Sequence, residues 1–259
     1  MMEHEPDAAE AVHWYRDHPE YFTRHVDLAQ EQHSGRFIRL VNSCRGGRVL
    51  DVGCGAGGVL AALDGERVGV DVSPVALAMA RERADALVVA GDAAHLPFED
   101  ASFDVVCSNS VLEHLVDPAA ALREMVRVVR PGGCVVVRTN NELRLTQMKS
   151  LEGISTFLHV LSSTLGGRLQ VHRSQAMEHG FETDDDDQVC NVNNHYVFAV
   201  LARLPVELVV FHPFEAEERL QGPKRTLVHA LTPLFRLPVL RDLSGELTFV
   251  ARRPLSAQH

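Results

Sequence analysis

Lysine is almost missing from this chain: only Lys149 and Lys224 of its 25 basic residues are lysines. Set against 35 acids, that leaves a net charge of −10. A nucleic-acid backbone would be repelled by such a molecule rather than neutralised, so DNA and RNA are set aside as substrates and partners. Cysteine is sparse as well. Cys44, Cys54, Cys107, Cys134 and Cys190 contain no C-x-x-C pair and lie mostly in apolar runs, the pattern of free thiols in a reducing cytoplasm. The opening MMEHEPDAAEAVHWYRDHPEYF lacks the apolar core of a signal peptide. HYVFAVLARLPVELVVF, the most apolar later stretch, is broken by Arg203, Pro205 and Glu207, which makes it a poor membrane span. His172, His179 and His195 with Cys190 lack tight metal-ligand spacing, and no metal site is assigned. The acidic run Asp184 to Asp187 reads as a solvated loop.

Apolar residues are plentiful. At 46% of 259 residues they support a core for one α/β domain with appendages, or for two small domains. Residues 1–43 are polar with a helical rhythm and carry Trp14, Tyr15, Tyr21, Phe22 and His25, a candidate apolar lid. Over residues 44–140 short β-branched runs (RVLDV, RVGVDV, ALVVAG, FDVVCS, CVVVRT) alternate with helix-like runs (GGVLAALD, PVALAMARERA, PAAALREMVRVV). That alternation implies βαβ units in a mainly parallel, doubly wound α/β sheet, with ligands at the carboxyl ends of its strands. Ser73-Pro74 and Asp117-Pro118 each put a capping side chain before a proline at the first helical position. Leu122, Met125, Val126 and Val129 share one helical face, and Pro131-Gly132-Gly133 reads as the stop. Residues 141–200 read as a helical insertion or substrate lid. Within 201–259, VELVVF and GELTFVARRP read as strands that complete the sheet.

The stretch VLDVGCGAGG carries glycines at 53, 55 and 58, the spacing of a dinucleotide-binding turn. Such a turn lets backbone approach a ligand closely and aims free N–H groups at a negative charge. Yet Asp51 ends the same strand, where a pyrophosphate would meet an acid with no compensating cation. A ligand carrying both an ammonium and a carboxylate group suits both features. Asp71 follows 20 positions later, where an acid can accept from a ribose diol. Asp92 follows the third strand, where its carboxylate can accept from an adenine amine with Ala93 as a backbone donor. Three acids at three successive strand ends match amino acid, ribose and adenine.

VLDVGCGAG, GVDVS, GDAAHLPFEDASFDVV, SNSVLEHL and REMVRVVRPGG occur in one order across residues 47–140. On these segments the chain resembles class I S-adenosylmethionine-dependent methyltransferases of the small-molecule group, which includes ubiquinone-biosynthesis O-methyltransferases. The resemblance implies a seven-stranded Rossmann-like sheet with helices on both faces, and S-adenosylmethionine as cofactor. It implies that Asp51, Gly53 and Gly55 surround the methionine portion, with Cys54 packed under the same loop. Asp71 and Val72 then meet ribose and adenine, Asp92 and Ala93 the adenine edge, and Asn109 the region under the sulfonium. The implied reaction is O- or N-methylation of a small organic acceptor.

A hydroxyl acceptor must lose a proton, by a base or by a metal that lowers its pKa. Glu113-His114 lies after the fourth strand and supplies the catalytic candidates. The ubiquinone-pathway relatives carry a metal-binding acid three positions before this glutamate, where this chain has Ser110, so His114 is expected to act as a lone base and Glu113 to orient a backbone or the acceptor. Two rivals share part of the pattern: a nicotinamide-dependent oxidoreductase, and an inactive protein that binds the cofactor without turnover. Oligomeric state is not legible in the sequence.

Overall fold

The computed structural model describes Trp14 and residues 34–140, 189–190, 192–212 and 246–255. Tyr15, Tyr21, Phe22, His25, most of the 141–200 segment with His172 and His179, and the acidic run lie outside the described residues. Chain order begins with α1 (Gly35–Ser43), β1 (Arg48–Val52), α2 (Gly58–Ala61), β2 (Glu66–Asp71), α3 (Pro74–Arg83), β3 (Leu87–Ala90) and β4 (Phe103–Asn109). A single 3-10 turn, Leu112–His114, leads to α4 (Pro118–Val128) and β5 (Val129–Asn140). Then come α5 (Asn194–Leu201), β6 (Glu207–His212) and β7 (Glu246–Arg252).

The seven strands form one sheet in the order β3-β2-β1-β4-β5-β7-β6. β1 pairs in parallel with β2 and β4, β2 with β3, and β4 with β5. β7 runs antiparallel to both of its neighbours, β5 and β6. Order reverses between β1 and β4, so the crevice at their carboxyl ends is the switch point where open α/β sheets bind ligands. VELVVF and GELTFVARRP complete the sheet as their patterns suggested.

Strand alternation gives each face its own layer. Leu50, Val52, Val106, Val135, Val137 and Phe249 pack with Leu122, Met125 and Val126 of α4 and with Val197 and Leu201 of α5. On the opposite face Val49, Val105, Cys107, Cys134, Val136 and Val250 pack with Phe37 and Val41 of α1. Both capping signals are realised: the Ser73 hydroxyl accepts from the Ala76 N–H at 3.3 Å, and Asp117 Oδ1 from the Ala120 N–H at 2.9 Å.

Two details differ from the sequence reading. α2 is one short turn of four residues rather than the whole of GGVLAALD. α4 ends at Val128, and Val129 already pairs with Phe103 as a strand residue. Pro131-Gly132-Gly133 therefore shapes an irregularity inside β5, where the register shifts between Phe103 and Val105, instead of stopping the helix. The stop comes from Arg253, whose Nη1 donates to the carbonyls of Val126, Arg127 and Val129 at 3.2, 3.1 and 2.7 Å.

Candidate functional site

The Gly53–Gly58 loop leaves β1 and runs across the end of β2. The Gly53 and Cys54 N–H groups donate to the Val70 carbonyl at 2.8 and 3.1 Å, and Gly53, Gly55 and Gly57 hold φ of +71°, +51° and +84°. A Cβ on Gly53 would collide with the Val111 side chain, whereas one on Gly55 would enter open space. The loop is thus locked against the segment after β4 on one side and presents bare backbone on the other. Cys54 is buried with Leu60 and Leu77, so its thiol packs beneath the loop and only its backbone faces outward.

Asp51 is 2% exposed. Its Oδ1 accepts weakly from the Cys107 thiol at 3.6 Å, and its Oδ2 has no partner. Burial pushes its carboxyl up to about 7, with the nearby Asp71 charge adding to the rise and the Cys107 contact opposing it. Asn109, at the end of the adjacent β4, has a buried Oδ1 that is likewise unpartnered. Two orphaned oxygens thus stand at neighbouring strand ends in the switch-point crevice. Buried polar groups are nearly always satisfied, so these two oxygens make the crevice a candidate place for a ligand donor.

Asp71 accepts from the Gly55 N–H and the Ser73 N–H, each at 2.9 Å. One carboxylate therefore fastens the glycine loop to the start of α3. Burial raises its pKa, opposed by these backbone donors. Val72 and Trp14 both pack against Ala76 of α3, which brings one residue of the N-terminal aromatic segment beside the position expected for adenine. Asp92 forms a turn, with Oδ1 accepting from the Ala94 N–H at 2.9 Å and Oδ2 3.2 Å from His95 Nδ1. Ala93 is buried in the α4 layer.

Glu113 is 1% exposed, and its Oε2 accepts from the Thr139 hydroxyl at 2.6 Å. Its carbonyl takes the N–H groups of Val189 and Cys190 at 3.0 and 3.2 Å. Glu113 therefore ties three segments together from the inside of the fold, a role that no spacing rule reveals. His114 closes the 3-10 turn, half-buried, with its N–H donating to the Val111 carbonyl at 2.9 Å. Ser110 takes the left-handed φ of +56° that swings the chain back toward this turn. No group of three or more metal-ligating side chains occurs among the described residues.

Residues 50–137 match the profile of a family described as methyltransferase domain. Over this span the chain is similar to a methyltransferase domain. A probable S-adenosylmethionine-dependent methyltransferase of Mycolicibacterium smegmatis is 34% identical over 142 residues, covering 53% of this chain and 49% of the relative. The demethylmenaquinone methyltransferase of Staphylococcus aureus is 36% identical over 137 residues, covering 48% and 57%. The chain thus spans about half the length of the curated relatives it matches. Among solved structures, the Haloferax volcanii putative methyltransferase in complex with the Trm112 activator superposes with a TM-score of 0.63 at 20% identity, over 95% of this chain and all of that one. A Mesorhizobium loti S-adenosylmethionine-dependent methyltransferase gives 0.58 at 19% identity, over 85% and 98%. These likenesses carry the fold of the methyltransferase domain and its helical layers.

Proposed function

We propose that this chain uses S-adenosylmethionine to methylate an oxygen or nitrogen atom of a small organic acceptor. The observation that carries the reading is the pair of unpartnered buried oxygens, Asp51 Oδ2 and Asn109 Oδ1, beside the open backbone of Gly55. An amino-acid moiety fits them, its ammonium to the acids' side and its carboxylate to the loop N–H groups. A pyrophosphate does not, because Asp51 would face it unneutralised. The cofactor, when bound, supplies an activated methyl group on a sulfonium.

The chain's own residues do the rest. Asp51, Gly53 and Gly55 hold the amino-acid end, with Asp71 and Val72 at the ribose and Asp92 and Ala93 at the adenine edge. Holding the accepting atom in line with the transferred carbon is proximity catalysis. His114, at the turn that follows β4, takes the proton from a hydroxyl acceptor, and Glu113 positions that turn. The name of the Staphylococcus relative, a demethylmenaquinone methyltransferase, supports small-molecule methylation as the class, and that of the Mycolicibacterium relative supports the cofactor.

Calorimetry with S-adenosylhomocysteine and with NADH tests the reading. Saturable binding of the first alone is expected. Binding of NADH without response to S-adenosylhomocysteine would replace the methyltransferase with an oxidoreductase. A screen of candidate metabolites for S-adenosylhomocysteine release then separates an enzyme from a protein that only binds the cofactor.

A further inference from the structure

Cys44 and Cys134 come together at the end of the sheet opposite the cofactor crevice. Cys44 follows α1 as its C-cap, and Cys134 lies in β5, in register with Val105 near the start of β4. Both belong to the layer between α1 and the sheet, Cys134 buried inside it and Cys44 packed against it. Their thiols are in hydrogen-bond contact, and the Cys44 proton has the Leu40 carbonyl, at 3.5 Å, as a second acceptor. None of the five cysteines is disulfide-bonded, and Cys44 is the one that is not buried. Cys54 packs beneath the glycine loop, Cys107 donates to Asp51, and Cys190 donates to the Leu112 carbonyl. Those three sit apart with other partners.

A third group completes the cluster. Arg252 of β7 stands directly opposite Cys134 across the β5–β7 ladder, where facing side chains are ~5 Å apart, and its guanidinium donates to the Cys134 sulfur. Glu207 of β6 is in register with Arg252 on its other side. The hydrogen bond from Cys44, and after it the Arg252 cation, bring the Cys134 thiol down to about 6, with burial opposing. Cys44 moves the other way, held above the usual thiol range by its bond to Cys134 and by burial. The first proton therefore leaves the pair easily and the second with difficulty.

We propose that Cys44 and Cys134 are a reversible modification site, which reacts with a small-molecule disulfide such as oxidised glutathione and closes to a bond between α1 and β5. The reaction starts at Cys44, because the other four cysteines are buried. Its sulfur attacks one sulfur of the external disulfide while its proton passes to Cys134. A mixed disulfide forms on Cys44, and the first glutathione leaves as a thiolate that water protonates. Cys134 then gives its proton to water, and its thiolate attacks the Cys44 sulfur and expels the second glutathione. Two protein thiols are oxidised and one glutathione disulfide is reduced to two thiols, so electrons and protons balance. Arg252 favours the Cys134 thiolate that the second step needs. Disulfides that form and reopen with the redox state are the usual kind inside cells. The inference is independent of the methyltransferase reading, since Asp51, Asp71 and Asn109 stand at the opposite ends of their strands.

The test incubates the full chain with excess oxidised glutathione and follows it by thiol counting in denaturant and by peptide mass spectrometry. The parent is expected to lose two of its five titratable thiols, with the Cys44 and Cys134 peptides joined, and dithiothreitol is expected to restore both. Its melting temperature is expected to rise by roughly 5 °C, because the bond closes a loop of about 90 residues in the unfolded chain. Cys44→Ser is expected to take up no glutathione. Cys134→Ser is expected to stop at a glutathione adduct on Cys44, and Cys134→Ala is made beside it because a buried serine without a partner weakens the sheet. A parent that keeps all its thiols, or that stops at the Cys44 adduct, overturns the inference. So does a bond from Cys44 to any other cysteine, in the same chain or in a second one. A melting temperature that falls on oxidation overturns it as well, because the native arrangement would then not fit the bond.

Discussion

On the proposed function Asp51 carries the charge that meets the ligand's ammonium, and its burial makes that charge depend on pH. A folded-state carboxyl held near 7 binds a proton that the unfolded chain has already released, so it costs stability as pH rises from about 4 to 7. An ammonium ligand prefers the ionised form and gains affinity as pH rises through about 7. S-adenosylhomocysteine is expected to bind about tenfold more tightly at pH 8 than at pH 6, with Asp51→Asn flattening the dependence; equal affinity across that range in the parent would remove the link. Gly53 and Gly57 are the loop residues least able to change, since an alanine at either meets a positive φ together with a clash, against the Val111 side chain at Gly53 and the Ala80 backbone at Gly57. Gly53→Ala should lower thermal stability more than Gly55→Ala, which melting curves check. His114→Ala should keep cofactor affinity within about threefold and lower turnover on a hydroxyl acceptor by roughly 100-fold, the range of a general base. Chelation by EDTA should leave turnover unchanged. Loss on chelation, restored by Mg²⁺, would return Glu113 and His114 to the role of metal ligands.

At the scale of elements, α4 depends on its two ends. Asp117 caps the first, and Arg253, far along the chain, takes three carbonyls at the second. A cation at a helix C-terminus also meets the negative end of the dipole. Arg253→Ala is expected to cost about 1–3 kcal/mol, against about 1 kcal/mol for Asp117→Ala; denaturant titration of both variants checks the order. Arg127 and Glu124 of the same helix grip the β3–β4 connection: Glu124 Oε2 accepts from the Leu96 N–H at 2.8 Å, and Arg127 Nη1 donates to the Phe98 carbonyl and to Asp100. The N-terminal caps were legible because their partners lie three residues away. The Arg253 stop was not, since its partners lie more than a hundred positions earlier and no local pattern points to them. Asp71 was legible as a strand-end acid. Its hold on Gly55 was not, because the same side chain serves the loop before any ligand arrives. Glu113 sits in an ordinary Glu-His pair, and nothing in its spacing shows that its carboxylate turns to Thr139.

The whole molecule was legible wherever elements alternate. Strand order among β1 to β5 follows from right-handed βαβ connections, and the family match falls on the same stretch. The antiparallel placing of β7 follows from no local rule, and that strand is deeply buried. Leu247, Phe249 and Ala251 are fully buried in the α4 and α5 layer. Phe249→Ala is expected to cost about 3–5 kcal/mol and to lower the denaturation midpoint of the whole domain in one transition. A separate early transition confined to β6 and β7 would show that the two edge strands are not part of the same cooperative unit.

β7 stands between two strands that both precede it in the chain. While the protein is being made, β6 emerges with no sheet edge within reach, because β5 can offer it one only across a gap that β7 has yet to fill. Assembly must therefore wait for residues 246–252, even though everything needed for the cofactor loop has long left the ribosome. During that interval the open edge of β5 is exposed to other chains, and long-range pairing of this kind is slow and prone to aggregation. The sheet is closed last at β7, long after the residues proposed to hold the cofactor have been made.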